Sequence, residues 1–162
     1  LVNAINSKLE ETVLGATAAS ATQPAGIFAT IKPTAVADFA ALVTKESDVE
    51  DANVIGECKY ILSNKAKAAL RSMAKGTKST QLVYENGAVD GTQALNTSNV
   101  AGKNYVYGDF SNLAIGSWGG VDLTVDPYTK AADGMIRIVV NMYVDAQVLR
   151  SAAFATGTVG AA

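Results

Sequence analysis

GDFSNLAIGSWGGVDLTVDPYTKAADGMIRIVVNMYVDAQVLRSAAF, Gly108 to Phe154, is the stretch whose pattern decides the fold. Its clearest element is Met135 to Val144. Ile136, Ile138, Val140, Met142 and Val144 recur at period two, with Arg137, Val139, Asn141 and Tyr143 on the opposite face. That alternation predicts a strand. Ten residues at ~3.3 Å each make it about 33 Å long, well beyond the usual five or six residues. A strand of that length suits an extended, flattened body. Upstream, Val121, Leu123 and Val125 alternate with Asp122, Thr124 and Asp126 in a second strand, and Leu113 to Ile115 reads as a third. Gly116-Ser117-Trp118-Gly119-Gly120 between them predicts a tight bend. The glycines follow neither the P-loop nor the dinucleotide spacing, so a phosphate cradle is not indicated. Trp118 reads as an aromatic wedge in packing or at a subunit contact. Tyr105 to Tyr107 is a short strand, and Gly108 to Asn112 a turn with room for one helical turn.

Working back toward the start, residues 1–14 predict an amphipathic helix with Val2, Ile5, Leu9 and Val13 near one stripe, stopped at Gly15. Residues 15–26 are small and turn-prone, and Ile27 to Ile31 reads as a short strand. A second helix is predicted from Thr34, as N-cap, to Thr44. Glu46 to Asp51 reads as an acidic, solvated connector, Lys59 to Leu62 as a buried strand, and Lys65 to Lys75 as a helix capped by Ser63 or Asn64. Residues 76–103 read as an exposed polar excursion, with a strand at Gln81 to Tyr84 and a hairpin turn at Asn86-Gly87. Gly157 to Ala162 is small and predicted to fray.

Composition narrows the function classes. The 162 residues are 49% hydrophobic and 17% charged, enough for one packed domain with or without a small annex. A net charge of -2 argues against a sequence-independent nucleic-acid binder, which needs a basic face. Nothing in the charge pattern favours a membrane surface, and no apolar run approaches the ~20 residues of a bilayer span. The chain has no histidine and one cysteine, Cys58. Histidine-based triads are therefore excluded, and Cys58 reads as a small core hydrophobe. Asp48, Glu50, Asp51 and Glu57 do not have the spacing of a calcium loop. Lys65, Lys67, Arg71, Lys75 and Lys78 read as a solubilising helix face rather than a nucleic-acid contact. No acid, base, nucleophile or metal constellation is visible, so neither an enzyme nor a cofactor is predicted.

The ordered features of Gly108 to Phe154 resemble the C-terminal segment of HK97-type tailed-phage major capsid proteins. Gly108 to Ser111 is similar to the family's Gly-Asp-Phe-Ser-like turn. Leu113 to Ile115, then Gly119 and Gly120 with Val121 to Val125, then Tyr128-Thr129, the long strand and Ala153-Phe154 follow in the family's order. Leu14-Gly15 and Gln23-Pro24-Ala25-Gly26-Ile27 are similar to an upstream family passage, as are Lys59 to Leu62 and the helix after it.

The resemblance implies an α+β fold, HK97-like. Residues 1–115 would be an axial domain, 116–157 the returning strands of a peripheral domain, and 158–162 a frayed tail. It implies that the family's N-terminal arm, extended loop and spine helix lie upstream of Leu1, removed or processed. Where some members join a lysine to an asparagine with help from a glutamate, Gly134 and Asn141 stand near the corresponding places, so no self-catalysed cross-link is expected. The implied function is a structural shell subunit in pentamers and hexamers enclosing DNA, assembled in the bacterial host cytoplasm and resident in the virion capsid. Its partners would be copies of itself, with scaffolding and portal proteins possible and packaged DNA touched only non-specifically. Subunit-contact candidates are Tyr84, Asn86, Asp90, Trp118, Glu50 and Asp51. Two other readings stand beside it: an encapsulin-like nanocompartment shell, and a small ligand-binding β module with Trp118, Tyr128 and Tyr107 as a platform.

Overall fold

Two side-chain caps decide where the main helices begin. The Asp38 carboxylate accepts the Ala41 amide at 2.9 Å, and the Ser63 hydroxyl accepts that of Ala66 at 2.9 Å. Each satisfies an amide that the first helical turn leaves without a partner. The structure is a computed structural model describing residues 2–76 and 78–160. Its elements are α1 (Val2–Val13), α2 (Ile27–Thr30), β1 (Thr34–Val36), α3 (Phe39–Glu50), β2 (Lys59–Ser63), α4 (Asn64–Ser72), β3 (Tyr84–Glu85), β4 (Ala88–Val89), β5 (Thr92–Thr97), β6 (Asn104–Gly108), β7 (Leu113–Asp126), β8 (Arg137–Val148) and β9 (Phe154–Val159). The fold is α+β.

Seven strands form one mixed sheet in the order β1-β9-β6-β2-β5-β4-β3. β1 runs parallel to β9 and β2 parallel to β5, while β6 is antiparallel to both β2 and β9. Alternation along β6 puts Tyr105 and Tyr107 on one face and Val106 on the other. On the tyrosine face, Leu42 and Val49 of α3 and Ala66 and Leu70 of α4 pack with Tyr60, Leu62, Tyr105 and Tyr107, all buried. A smaller cluster joins Leu14, Ile27, Phe28, Val106, Ala153 and Phe154. Burying each large side chain contributes roughly 1.5–3 kcal/mol relative to leaving it in water.

Several elements differ from the sequence-based expectation. Ile27–Thr30 is a turn of helix rather than a strand; a short apolar run is compatible with either. Thr34 does not cap a helix. It begins β1, and Asp38, with the stronger acceptor, starts α3 four residues later. The acidic connector from Glu46 is largely the last turns of α3. Leu113 to Ile115 and Val121 to Val125 are not two strands around a tight bend. They are one 14-residue strand, and the glycine segment is absorbed as a register shift between Trp118 and Asp122. A bulge accommodates the extra residues without breaking the ladder. β8 starts two residues later than expected and runs on to Val148, because Ala146 and Val148 keep the period past Asp145.

The frayed tail is also corrected. Gly157 to Val159 belong to β9, and Val159 is fully buried. Residues 154–157, grouped by the sequence with the second part, lie in the large sheet too. Leu1, Ala161 and Ala162, which the helix and tail readings included, lie outside the described residues. Small residues here are a packing requirement rather than a sign of disorder. A Cβ added to Gly157 would stand 2.6–2.7 Å from the ring and hydroxyl of Tyr105, a side chain with no exposed surface. Gly157→Ala should therefore lower unfolding free energy by about 1–3 kcal/mol, as overpacking does. Denaturant midpoints of the two proteins measure it.

Glu46 faces inward and accepts the Tyr60 hydroxyl. Burial raises its pKa above the ordinary glutamate range, and Asp90 and Glu50 push the same way, against the lowering effect of the Tyr60 bond. A raised folded-state pKa means the folded form holds the proton more tightly. The associated stability is full below the ordinary glutamate range and is lost as pH rises through the raised value. Denaturation from mildly acidic to neutral pH should show a smaller decline for Glu46→Gln than for the wild type.

Candidate assembly surface

β7 and β8 leave the large sheet as a two-stranded hairpin of 14 and 12 residues, about 40 Å long. Its register pairs Leu113 with Val148 at the base and Asp126 with Arg137 near the tip. One face carries Val121, Leu123 and Val125 beside Ile138, Val140 and Met142; the other carries Asp122 and Thr124 beside Val139 and Asn141. Both faces meet solvent over most of their length. Leu123 is 58% exposed and Trp118 59% exposed. A lone two-stranded ribbon is marginal in water, and exposed apolar patches of this length are characteristic of interaction surfaces.

The base of the hairpin is fixed by polar contacts. Asp109, buried where the chain leaves β6, accepts the Ser111 amide at 3.0 Å, the Ser111 hydroxyl at 2.8 Å and the Asn112 side-chain amide at 3.0 Å. The Leu149 amide donates to the Asn112 carbonyl at 2.9 Å, and the Arg150 guanidinium donates to the Ala52 carbonyl just beyond α3. At the far end, Asp126 accepts the amides of Tyr128 and Thr129 and begins the tip turn, and Gly134 closes it with φ +67. α1 lies beside the apolar face. Ile5, Leu9 and Val13 form one wall and Ile138, Val140, Met142 and Val144 the other wall of an open groove of about 610 Å³. α1 is tied to the body through Glu10, whose carboxylate accepts from the Thr97 hydroxyl at 3.0 Å and the Asn99 amide at 2.9 Å.

The six contact candidates fall in three places. Trp118 is exposed on the polar face of the hairpin, opposite Tyr143, with its indole lying back over Gly116. Glu50 and Asp51 are exposed at the C-terminal end of α3. Asn86 and Asp90 sit in the two turns of the β3–β4–β5 meander, with φ of +50 and +46, each followed by a glycine at positive φ. Both are two-residue turns of the left-handed type. The Asn86-Gly87 turn was legible; Asp90-Gly91 carries an equally strong signal that the sequence reading passed over. Asp90 is engaged within the chain by an ion pair with Lys75. Tyr84 is buried in the core, with the Lys67 ammonium 5.5 Å from its ring centroid. The sequence reading also missed Asp109 and Arg150 as clasps of the hairpin base. Asp109 lies in the predicted Gly108 to Asn112 turn and accepts the amide two residues on, whereas no local pattern marks Arg150, whose partner is 98 residues away.

Among the described residues, no three or more histidine, cysteine or acidic side chains gather as metal ligands. Burial pushes the Cys58 thiol up, away from the thiolate form that would make it a nucleophile. No described helix is long and apolar enough to cross a membrane.

A mixed sheet flanked by helices and extended by a long hairpin is the HK97-like architecture of shell-forming proteins. The chain belongs to the phage capsid family, whose model matches residues 1–159. It is 31% identical over 113 residues to the major capsid protein of Halomonas phage phiHAP-1, across 69% of this chain and 19% of that protein. Among solved structures it is similar to the capsid of the native GTA particle (TM-score 0.67, 18% identity, 99% of this chain and 64% of that one). It is similar to a Gordonia phage Cozz chain (TM-score 0.70, 15% identity, 99% and 61%) and to the virus-like particle from Pyrococcus furiosus (TM-score 0.62, 14% identity, 95% and 64%). The chain thus spans about a fifth of the curated relative's length and less than two thirds of each of these solved chains.

Hydrogen bonding to the charged form, first from the Ser111 amide, holds the Asp109 carboxyl below the ordinary aspartate range. A depressed folded-state pKa contributes stability above that range and loses it as pH falls through the depressed value. Asp109→Ala should cost about 1 kcal/mol or more at neutral pH. Its acid-unfolding curve should also be shallower than that of the wild type, read by circular dichroism.

Proposed function

We propose that the chain is a structural, non-enzymatic part of a phage shell subunit, which assembles with copies of itself into rings around the shell's symmetry axes. The observation that carries this reading is the exposed apolar hairpin on a chain of the phage capsid family. A surface of that length gains stability only when another surface covers it. Closed rings need contacts between two different patches on each copy. The exposed candidates Asn86, Glu50, Asp51 and Trp118 supply polar and aromatic groups for such contacts. Asp90, paired with Lys75, and Tyr84, buried in the core, are engaged within the chain. In this reading the large-sheet body is the axial part and the hairpin the peripheral part, with the division at Leu113 and the return at Phe154.

The wider reading follows the same line. The particle encloses DNA, which this near-neutral chain touches only non-specifically. Scaffolding and portal proteins meet the assembled rings, assembly takes place in the host cytoplasm, and the mature protein resides in the virion capsid. An encapsulin-like compartment would use the same surfaces around a protein cargo. No observation on this chain favours it over the phage shell.

Electron microscopy of particles formed by the polypeptide as its gene encodes it tests the proposal. Leu123→Asp with Val125→Asp should abolish particles while leaving the subunit soluble with native circular dichroism. Trp118→Ser should lower particle yield with little effect on subunit stability, within about 0.5 kcal/mol as for surface changes. Wild-type yields from both variants would sink the reading.

A further inference from the structure

Asn86 differs chemically from the other asparagines of the chain. It alone precedes a glycine, Gly87. Asn64, Asn96, Asn99, Asn104 and Asn112 each use their side-chain amides in hydrogen bonds to neighbouring groups. Asn86 makes no such bond among the described residues, and it is exposed. Gly87 carries no side chain to shield its nitrogen, and nothing stands within 4 Å of the place where a Cβ would be. The Gly87 carbonyl accepts from Ala94 at 2.9 Å, but its own amide donates to no backbone carbonyl in the turns and loops.

We propose that Asn86 is a site of spontaneous deamidation, which converts the tip of the meander to aspartate and isoaspartate. The Gly87 nitrogen attacks the Asn86 side-chain carbonyl carbon. The nitrogen loses its proton, the carbon–nitrogen bond of the side-chain amide breaks, and ammonia leaves. The resulting cyclic imide consumes one water and opens at either carbonyl. One opening restores the backbone with an aspartate; the other routes the chain through the former side chain and adds a backbone carbon. No oxidant, enzyme or metal is needed.

The turn itself sets the rate. Asn86 and Gly87 are held at φ +50 and +82 by the flanking pairs Glu85–Ala88 and Tyr84–Val89. While those pairs hold the turn closed, the backbone rotations that bring the side-chain carbonyl carbon onto the Gly87 nitrogen are restricted, so reaction proceeds through local opening. The product places a new carboxylate between Glu85 and Asp90, and the isoaspartyl form does not fit a two-residue turn. A slow, irreversible charge change is thereby built into a surface assigned above to contacts between copies. The chemistry does not depend on that assignment, because it is read by mass on the unassembled chain.

The test is incubation of the folded chain at mildly alkaline pH, with peptide mapping and an isoaspartyl methyl-acceptance assay. The expected result is an amide-to-acid mass gain confined to the peptide containing Asn86, with isoaspartate in the same peptide. The gain should be several-fold faster in denaturant and absent from Asn86→Gln, whose longer side chain forms the imide ring far more slowly. Gly87→Ala should slow it as well. A folded chain showing no gain at Asn86 while the denatured chain gains it would overturn the proposal. So would an equal or larger gain at another asparagine of the folded chain.

Discussion

The contact between Tyr105 and Gly157 holds the two ends of the chain's main excursion together. β6 leaves the sheet at Gly108, and the chain returns at Phe154 to pair with the same strand it left. The return strand then also pairs with β1, so β9 joins the early and middle parts of the chain. Tyr105 fills the space that Gly157 leaves open, and its ring packs with Tyr60, centroids 5.7 Å apart. If β9 could not approach this closely, the core under α3 and α4 would lose one wall. The hairpin would also lose its anchored base. The placement of the arm depends on that closure.

The base shows how a short polar network directs a long apolar element. Asp109, Asn112, Leu149 and Arg150 fix where the two strands emerge, through two or three hydrogen bonds each side. Beyond them the strands follow a period of two with little help from the body, apart from α1 at one face. The result is a rigidly rooted arm with a surface that water disfavours. That combination suits a subunit whose stable state is reached in company. In the assembly proposed above, pre-organisation at the root would lower the ordering cost of association, and the apolar face would supply its driving force.

Much of the architecture was legible from periodicity. The strands 59–62, 105–107 and 135–144, the first helix and the Asn86-Gly87 turn follow from local pattern, since alternation and turn chemistry act over a few residues. The misread segments fail for identifiable reasons. Ile27–Thr30 is too short for its period to be decided. Thr34 and Asp38 compete for one helix start, and the carboxylate wins. The glycines after Ile115 fit a bend or a bulge equally until the opposing strand is known. Of the contact candidates, Tyr84 read as an exposed aromatic because its burial depends on α4 folding across it.

Taken alone, the sequence determined that this chain has both helices and strands, one long alternating strand among them, and no histidine chemistry. Those properties reside in composition and in short-range period, which no tertiary contact alters. Only the tertiary structure decided that the small residues at the end are an internal strand rather than a loose tail. Only it showed that Glu46 lies against a buried tyrosine rather than in solvent, and that the apolar faces of two strands are left bare. Burial and exposure are relations between distant segments, so they become readable only when β9 has returned to β6 and the hairpin stands clear of the body.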